Sequence, residues 1–152
     1  MKRFTSILIV CVMFLGIIGG GGALAVDFEP NELNLVYIEP HASRYLSSYS
    51  AWASAGSSGS VVISFSVIAT ARFERVGALA ISIQERNGTS WRTVATYFGS
   101  TTPGLMGSNA VAHTGNFTHS GSAGSEFRAA VTFFAGGSSG EQRVVTTNSV
   151  FV

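Results

Sequence analysis

Val61-Val62-Ile63-Ser64-Phe65-Ser66-Val67-Ile68-Ala69-Thr70-Ala71-Arg72 alternates apolar and polar side chains over most of its length. A repeat of two belongs to an extended chain, not to a helix. Ile63, Phe65, Val67, Ala69 and Ala71 point one way, and Ser64, Ser66, Thr70 and Arg72 point the other. A strand of that kind sets one face on a core and leaves the other in water. The same grammar runs through the chain from Tyr45 onward, with Gly/Ser clusters as punctuation, and no stretch of it carries a helical repeat.

Working outward, residues 45–55 alternate less sharply. Tyr45, Tyr49, Ala51 and Ala53 share one face, and Leu46, Ser48, Ser50 and Trp52 the other. Gly56-Ser57-Ser58-Gly59 turns this segment into the next. Residues 79–84 and 91–97 form a hairpin around Asn87-Gly88. A two-residue turn there sets Val94 opposite Ile81 and Arg92 opposite Ile83. A type I turn with a Gly88 bulge sets Trp91 opposite Ile83, and pairing the indole with an inward isoleucine favours this second register. A further strand covers residues 110–119, with Gly115 marking a bulge or bend. Phe127, Ala129, Val131 and Phe133 then alternate with Arg128, Ala130, Thr132 and Phe134, and residues 141–152 close the chain. Seven short antiparallel strands predict an all-β, immunoglobulin- or fibronectin-like two-sheet sandwich over residues 45–152.

One resemblance follows from these strands and turns. Val76-Gly77-Ala78, Ile81-Ser82-Ile83-Gln84, Asn87-Gly88, Trp91 and Val94-Ala95-Thr96-Tyr97 lead, after a Gly/Ser/Thr-rich connection, to residues 127–132 and a closing strand over 141–149. The pattern resembles small exported proteins of Gram-positive bacteria grouped by a domain of unknown function. The resemblance spans residues 45–152 and implies a signal peptide and a β-sandwich. It transfers no functional residue. Those proteins tend to carry a tyrosine where this chain has Phe127.

The N-terminus reads as an export signal. Lys2 and Arg3 precede an apolar run from Phe4 to Ile18, and Ala23-Leu24-Ala25 offers small residues at cleavage spacing. Gly19 to Gly22 stop the run at about fifteen residues, short of the roughly twenty that cross a bilayer. Cleavage after Ala25 leaves a polar lead-in over residues 26–44, and the expected destination is the extracellular space with no stable membrane anchor. Cys11, the single cysteine, leaves with the signal, so the mature chain has no thiol for disulfides, zinc or nucleophilic chemistry. All remaining basic residues are arginines, and they are scattered without the stripe that neutralises phosphates, which argues against a nucleic-acid partner.

Catalytic patterns each meet a plainer reading. Gly136-Gly137-Ser138-Ser139-Gly140 spells a nucleophile-elbow motif, but such an elbow joins strand to helix and here a strand follows. His113 and His119, six apart on an unbroken strand, stand roughly 20 Å from each other, too far to share a metal. Glu74, Glu85, Glu126 and Glu141 are isolated in sequence, and the two Asn-x-Thr triplets at Asn87 and Asn116 read as accidental. No cofactor or metal is expected.

Aromatic residues carry the remaining signal. Tyr49, Trp52, Tyr97 and Phe134 are candidate binding residues, because adjacent or near-adjacent aromatics on a strand cannot all face inward. Trp52 leads them, since Ser48, Ser50 and Ser54 share its face. The expected function is a non-enzymatic binding module for an extracellular carbohydrate or protein. The alternatives are a self-assembling secreted protein pairing through its terminal edge strand, and a small hydrolase with Glu/His/Ser chemistry gathered from loops.

Overall fold

A computed structural model describes residues 43–152 of the chain. The expected signal peptide (1–25) and nearly all of the lead-in (26–44) lie outside the described residues. Seven strands follow in order: β1 (Leu46–Ala55), β2 (Ser60–Asn87), β3 (Ser90–Phe98), β4 (Met106–Ser120), β5 (Glu126–Gly136), β6 (Gly140–Thr146) and β7 (Val150–Phe151). All pairings are antiparallel, and hydrogen bonds join the strands into a single sheet.

The organising element is β2, whose 28 residues contain both the 61–72 and the 79–84 segments. Sequence reading separates these two because Glu74 and Arg75 interrupt the apolar pattern. The backbone nevertheless stays paired through the interruption. Val76 lies between Gly107 of β4 and Ala135 of β5, and Gly77 between Met106 and Phe134. Between Ile68↔Ala112 and Phe73↔Ala110, β2 advances five residues while β4 advances two. Extra residues on one strand of a ladder bend it.

That irregularity divides the sheet into two halves. Residues 60–69 of β2 lie between β1 and β4, while its later residues lie between β5 and, successively, β4 and β3. The sheet curls so that the halves face each other. Phe65 in the first half meets Phe133 of the second at 6.3 Å between ring centroids, and Tyr49 meets the same ring at 5.7 Å. Ile63, Val67, Ile81, Ile83, Ala129 and Val131 fill the buried layer around them. Gly115 produces no register shift and pairs directly with Phe65. A Cβ there would come within 2.6 Å of the Phe65 ring, so the glycine makes room for the core aromatic instead of bending the strand.

Three local expectations are corrected. The hairpin turn is Gly88-Thr89, with Asn87 opposite Ser90, and Gly88 at φ 60° takes the first central position, as in a type II′ turn. The register steps at Val94, so Ile83 pairs with Ala95 and Trp91 pairs with Arg86. Both sequence-based registers therefore fail. A bulge between Leu46 and Ser48 turns Leu46 into the core, away from the face of Ser48 and Trp52. Lastly, residues 141–152 form two strands, because Thr147-Asn148-Ser149 leave the ladder. The Thr147 hydroxyl accepts from Ala129 N (3.0 Å), while the Asn148 side chain accepts from Ala53 N and donates to Ala53 O, both at 2.9 Å. Asn148 thus imitates a strand partner and ties β1 to the chain's last turn.

Candidate functional site

Trp52 stands on the outer face of β1, 49% exposed. In register beside it lie Ser64 of β2 and then Asn116 of β4. One step along, Ser54, Val62 and Thr118 form the next row; on the other side come Ser50, Ser66 and Thr114, then Ser48, Ile68 and Ala112. Same-face neighbours on such a sheet are spaced about 4.8 Å across strands and roughly 6.8 Å along them. Hydroxyl and amide groups therefore flank one exposed indole on the edge strand, with Val62 and Ile68 as the other apolar side chains of the face.

Among the described residues this face carries no formal charge. No Asp, Glu, Lys or Arg occurs between Arg44 and Arg72, nor between Arg92 and Glu126. Those two intervals supply all of β1, the first half of β2 and the whole of β4. Sequence reading found Trp52 and its serines but missed Ser64, Ser66, Thr114, Asn116 and Thr118, which only strand pairing brings alongside. The two charge-free intervals are the signal that could have found them.

The other three candidates lie elsewhere. Tyr49 faces the opposite side of β1 and packs on Phe133. Tyr97 is half-buried, stacked at 4.2 Å on Phe117, with its hydroxyl 2.8 Å from His119 Nδ1. Phe134 is buried, and the Arg75 guanidinium covers its ring at 5.3 Å. The structure does not gather the four into one surface.

Groups with chemical potential are dispersed. His119 touches Tyr97 and Phe127, and burial holds its imidazole below the usual histidine value. Nearby, the Glu85 carboxylate is held below the usual carboxylate range by hydrogen bonds from Ser125 and from Arg92, the latter at 3.1 Å. His113 bonds Gly104 O through Nε2 at 2.8 Å and belongs to another part of β4. An open cleft of about 640 Å³ joins Glu74 and Arg75 with Ser100, Met106, Ser108 and Asn109, and neither of these histidines lines it. Among the described residues, no three His, Cys, Asp or Glu side chains converge as metal ligands. Gly136 to Gly140 form a strand–turn–strand connection between β5 and β6.

The second tryptophan has a different setting. Trp91 lies under the guanidinium of Arg128 at 4.3 Å and that of Arg86 at 5.2 Å, where cation–π attraction holds the indole in place. Arg128 is itself fixed by Gln84, its Nε donating to Oε1 at 2.7 Å. Trp91 therefore ties β3 to β5 across β2, whereas among the described residues no aromatic or cation–π pair includes Trp52. Compared with known proteins, the chain matches no family model, no curated protein and no solved structure.

Proposed function

We propose that the protein is an exported, non-enzymatic recognition module that binds an extracellular carbohydrate or protein surface through the outer face of β1, β2 and β4. The observation that carries this reading is Trp52, a large amphipathic ring half in solvent on the edge strand of a polar, in-register face. Buried aromatics serve the core, whereas an indole that is half in solvent, and in no aromatic or cation–π pair among the described residues, offers its area to a ligand. Export rests on the 1–25 segment with its cleavage site after Ala25, and kinship with small exported proteins of Gram-positive bacteria on the strand and turn patterns. An immunoglobulin-like sandwich is the finer description of the scaffold. Seven antiparallel strands and the Phe65–Phe133 contact support it, and the sharing of β2 between both halves is its point of departure.

The test is saturable binding of the secreted protein to a panel of glycans, cell-wall polymers and surface proteins, repeated with Trp52→Ala. Binding that depends on Trp52 supports the reading; binding unaffected by the substitution contradicts it.

Self-association is a second reading with its own observation. Val144 of β6 and Phe151 of β7 are 59% and 69% exposed, and they lie opposite Thr132 and Glu126 on the same outer side of β5. Sedimentation of the wild type against Val144→Lys distinguishes it, since a monomer at all concentrations excludes assembly through this margin.

A further inference from the structure

Building on the recognition reading, we infer that the ligand of the Trp52 face is an uncharged, unbranched polysaccharide lying flat across β1, β2 and β4. Charge complementarity selects it. An anionic polymer needs cations to replace its counterions, and the face offers none: the nearest arginines along these strands, Arg44 and Arg72, stand together at one end. They lie beyond the Ser48–Ile68–Ala112 row, and the Arg72 guanidinium donates to Asn109 O. A protein partner of ordinary composition brings charges that this face would strip of water without pairing.

A neutral sugar chain brings what the face can meet. Its ring C–H surface stacks on the indole, and its hydroxyls replace water on the Ser50, Ser64, Ser66, Thr114, Asn116 and Thr118 side chains, each able to donate and accept. The surface is an extended sheet face with the apolar contacts Trp52 and Ile68 separated by a hydroxyl row, not a pocket closed around one sugar. Such a face accommodates a chain of several residues and leaves no room for branches pointing into the sheet. Because the contact involves no ion pair, its affinity is insensitive to salt.

The deciding experiment measures depletion of the secreted protein by cellulose and chitin as uncharged unbranched polymers, and by polygalacturonate as an anionic one, at low and high salt. Wild type is compared with Trp52→Ala, with Thr114→Glu, which places a charge on the face, and with Trp91→Phe as a control in the other half. The expected result is salt-independent, saturable binding to an uncharged polymer, weakened about tenfold or more by Trp52→Ala and by Thr114→Glu and unchanged by Trp91→Phe. Preference for polygalacturonate, or binding abolished by salt, overturns the inference. Trp52-dependent binding to proteins alone overturns it while leaving the recognition reading intact. Absence of any Trp52-dependent binding across the full panel removes both. Circular dichroism on each variant separates loss of contact from loss of fold.

Discussion

The two tryptophans stand in opposite halves of one sheet, and their surroundings differ as the halves do. Trp91 is held between Arg86 and Arg128, in a region that also contains Glu74, Arg75, Glu85, Arg92, Glu126, Glu141 and Arg143. Trp52 lies in a region without a single formal charge, among serines, threonines and an asparagine. The contrast teaches that similar side chains do different work. In the charged half, Arg92 pairs with Glu85 between β3 and β2, and Arg86 and Arg128 stack on Trp91. In the uncharged half, the inner face is buried and apolar, while the outer face presents Trp52 and Ile68 among hydroxyl side chains.

The largest expected effect tests whether the halves depend on each other. Phe133 joins Tyr49 and Phe65 of the first half to β5. Phe133→Ala should cost about 3–5 kcal/mol in urea unfolding, with both halves melting in one transition. Two separate transitions would break the picture of a single curled core.

Next in size is the β1 seam. Asn148→Ala removes both hydrogen bonds to Ala53 and should cost about 1–3 kcal/mol. Faster amide exchange should follow at Ala53, with β5 unaffected. Trp91→Ala removes the stacking of two guanidinium groups, each worth about 0.5–1 kcal/mol when exposed, so a loss near 1–2 kcal/mol is expected in thermal melts.

Acid should affect the seams before the Trp52 face. Burial depresses His119, Ser125 and Arg92 depress Glu85, and Ser43 and Arg143 depress Glu141. The folded state therefore binds these protons less readily than the unfolded chain. Stability should be full above the ordinary histidine value and should decline as pH falls through about 6.5, then further below about 4.5. A melting temperature that rises on acidification would contradict this sign. Ligand binding by the uncharged face should stay constant over the same range while the protein remains folded.

The smallest effect sharpens the comparison most. Trp52→Ala should leave stability within about 0.5 kcal/mol of wild type, despite removing one of the largest side chains in the protein. A loss comparable to that of Trp91→Ala would make Trp52 a structural residue.

Much of this arrangement is legible in the sequence, and the parts that are not have specific causes. Alternation from Val61 to Thr70 reports the inner and outer faces correctly, as does the Phe127–Phe133 set, because a buried face repeats every two residues; Ala71, expected inside, is exposed because it falls in the irregular stretch between Ile68 and Phe73. The continuity of β2 is hidden by Glu74 and Arg75, which sit where the strand bends and where apolar alternation has no face to report. The hairpin register is set first by the turn falling at Gly88-Thr89, one residue beyond the expected place, and then by a bulge at Val94 that nothing in the turn encodes. Leu46 is misassigned for the same reason, since one extra residue inverts every side chain before it. Trp52 could be singled out from its own strand. Its polar neighbours on β2 and β4 could not, because they are adjacent only through long-range pairing.

The assignment of the Trp52 face as the working surface is tested most directly with Trp91→Phe, which leaves Trp52 as the sole tryptophan of two. Titrating that protein with a soluble oligosaccharide cut from the polymer it binds should shift and saturate the Trp52 emission at the affinity measured by depletion. Saturable binding with an unchanged Trp52 spectrum would place the ligand elsewhere and contradict the assignment of the uncharged face as the working surface.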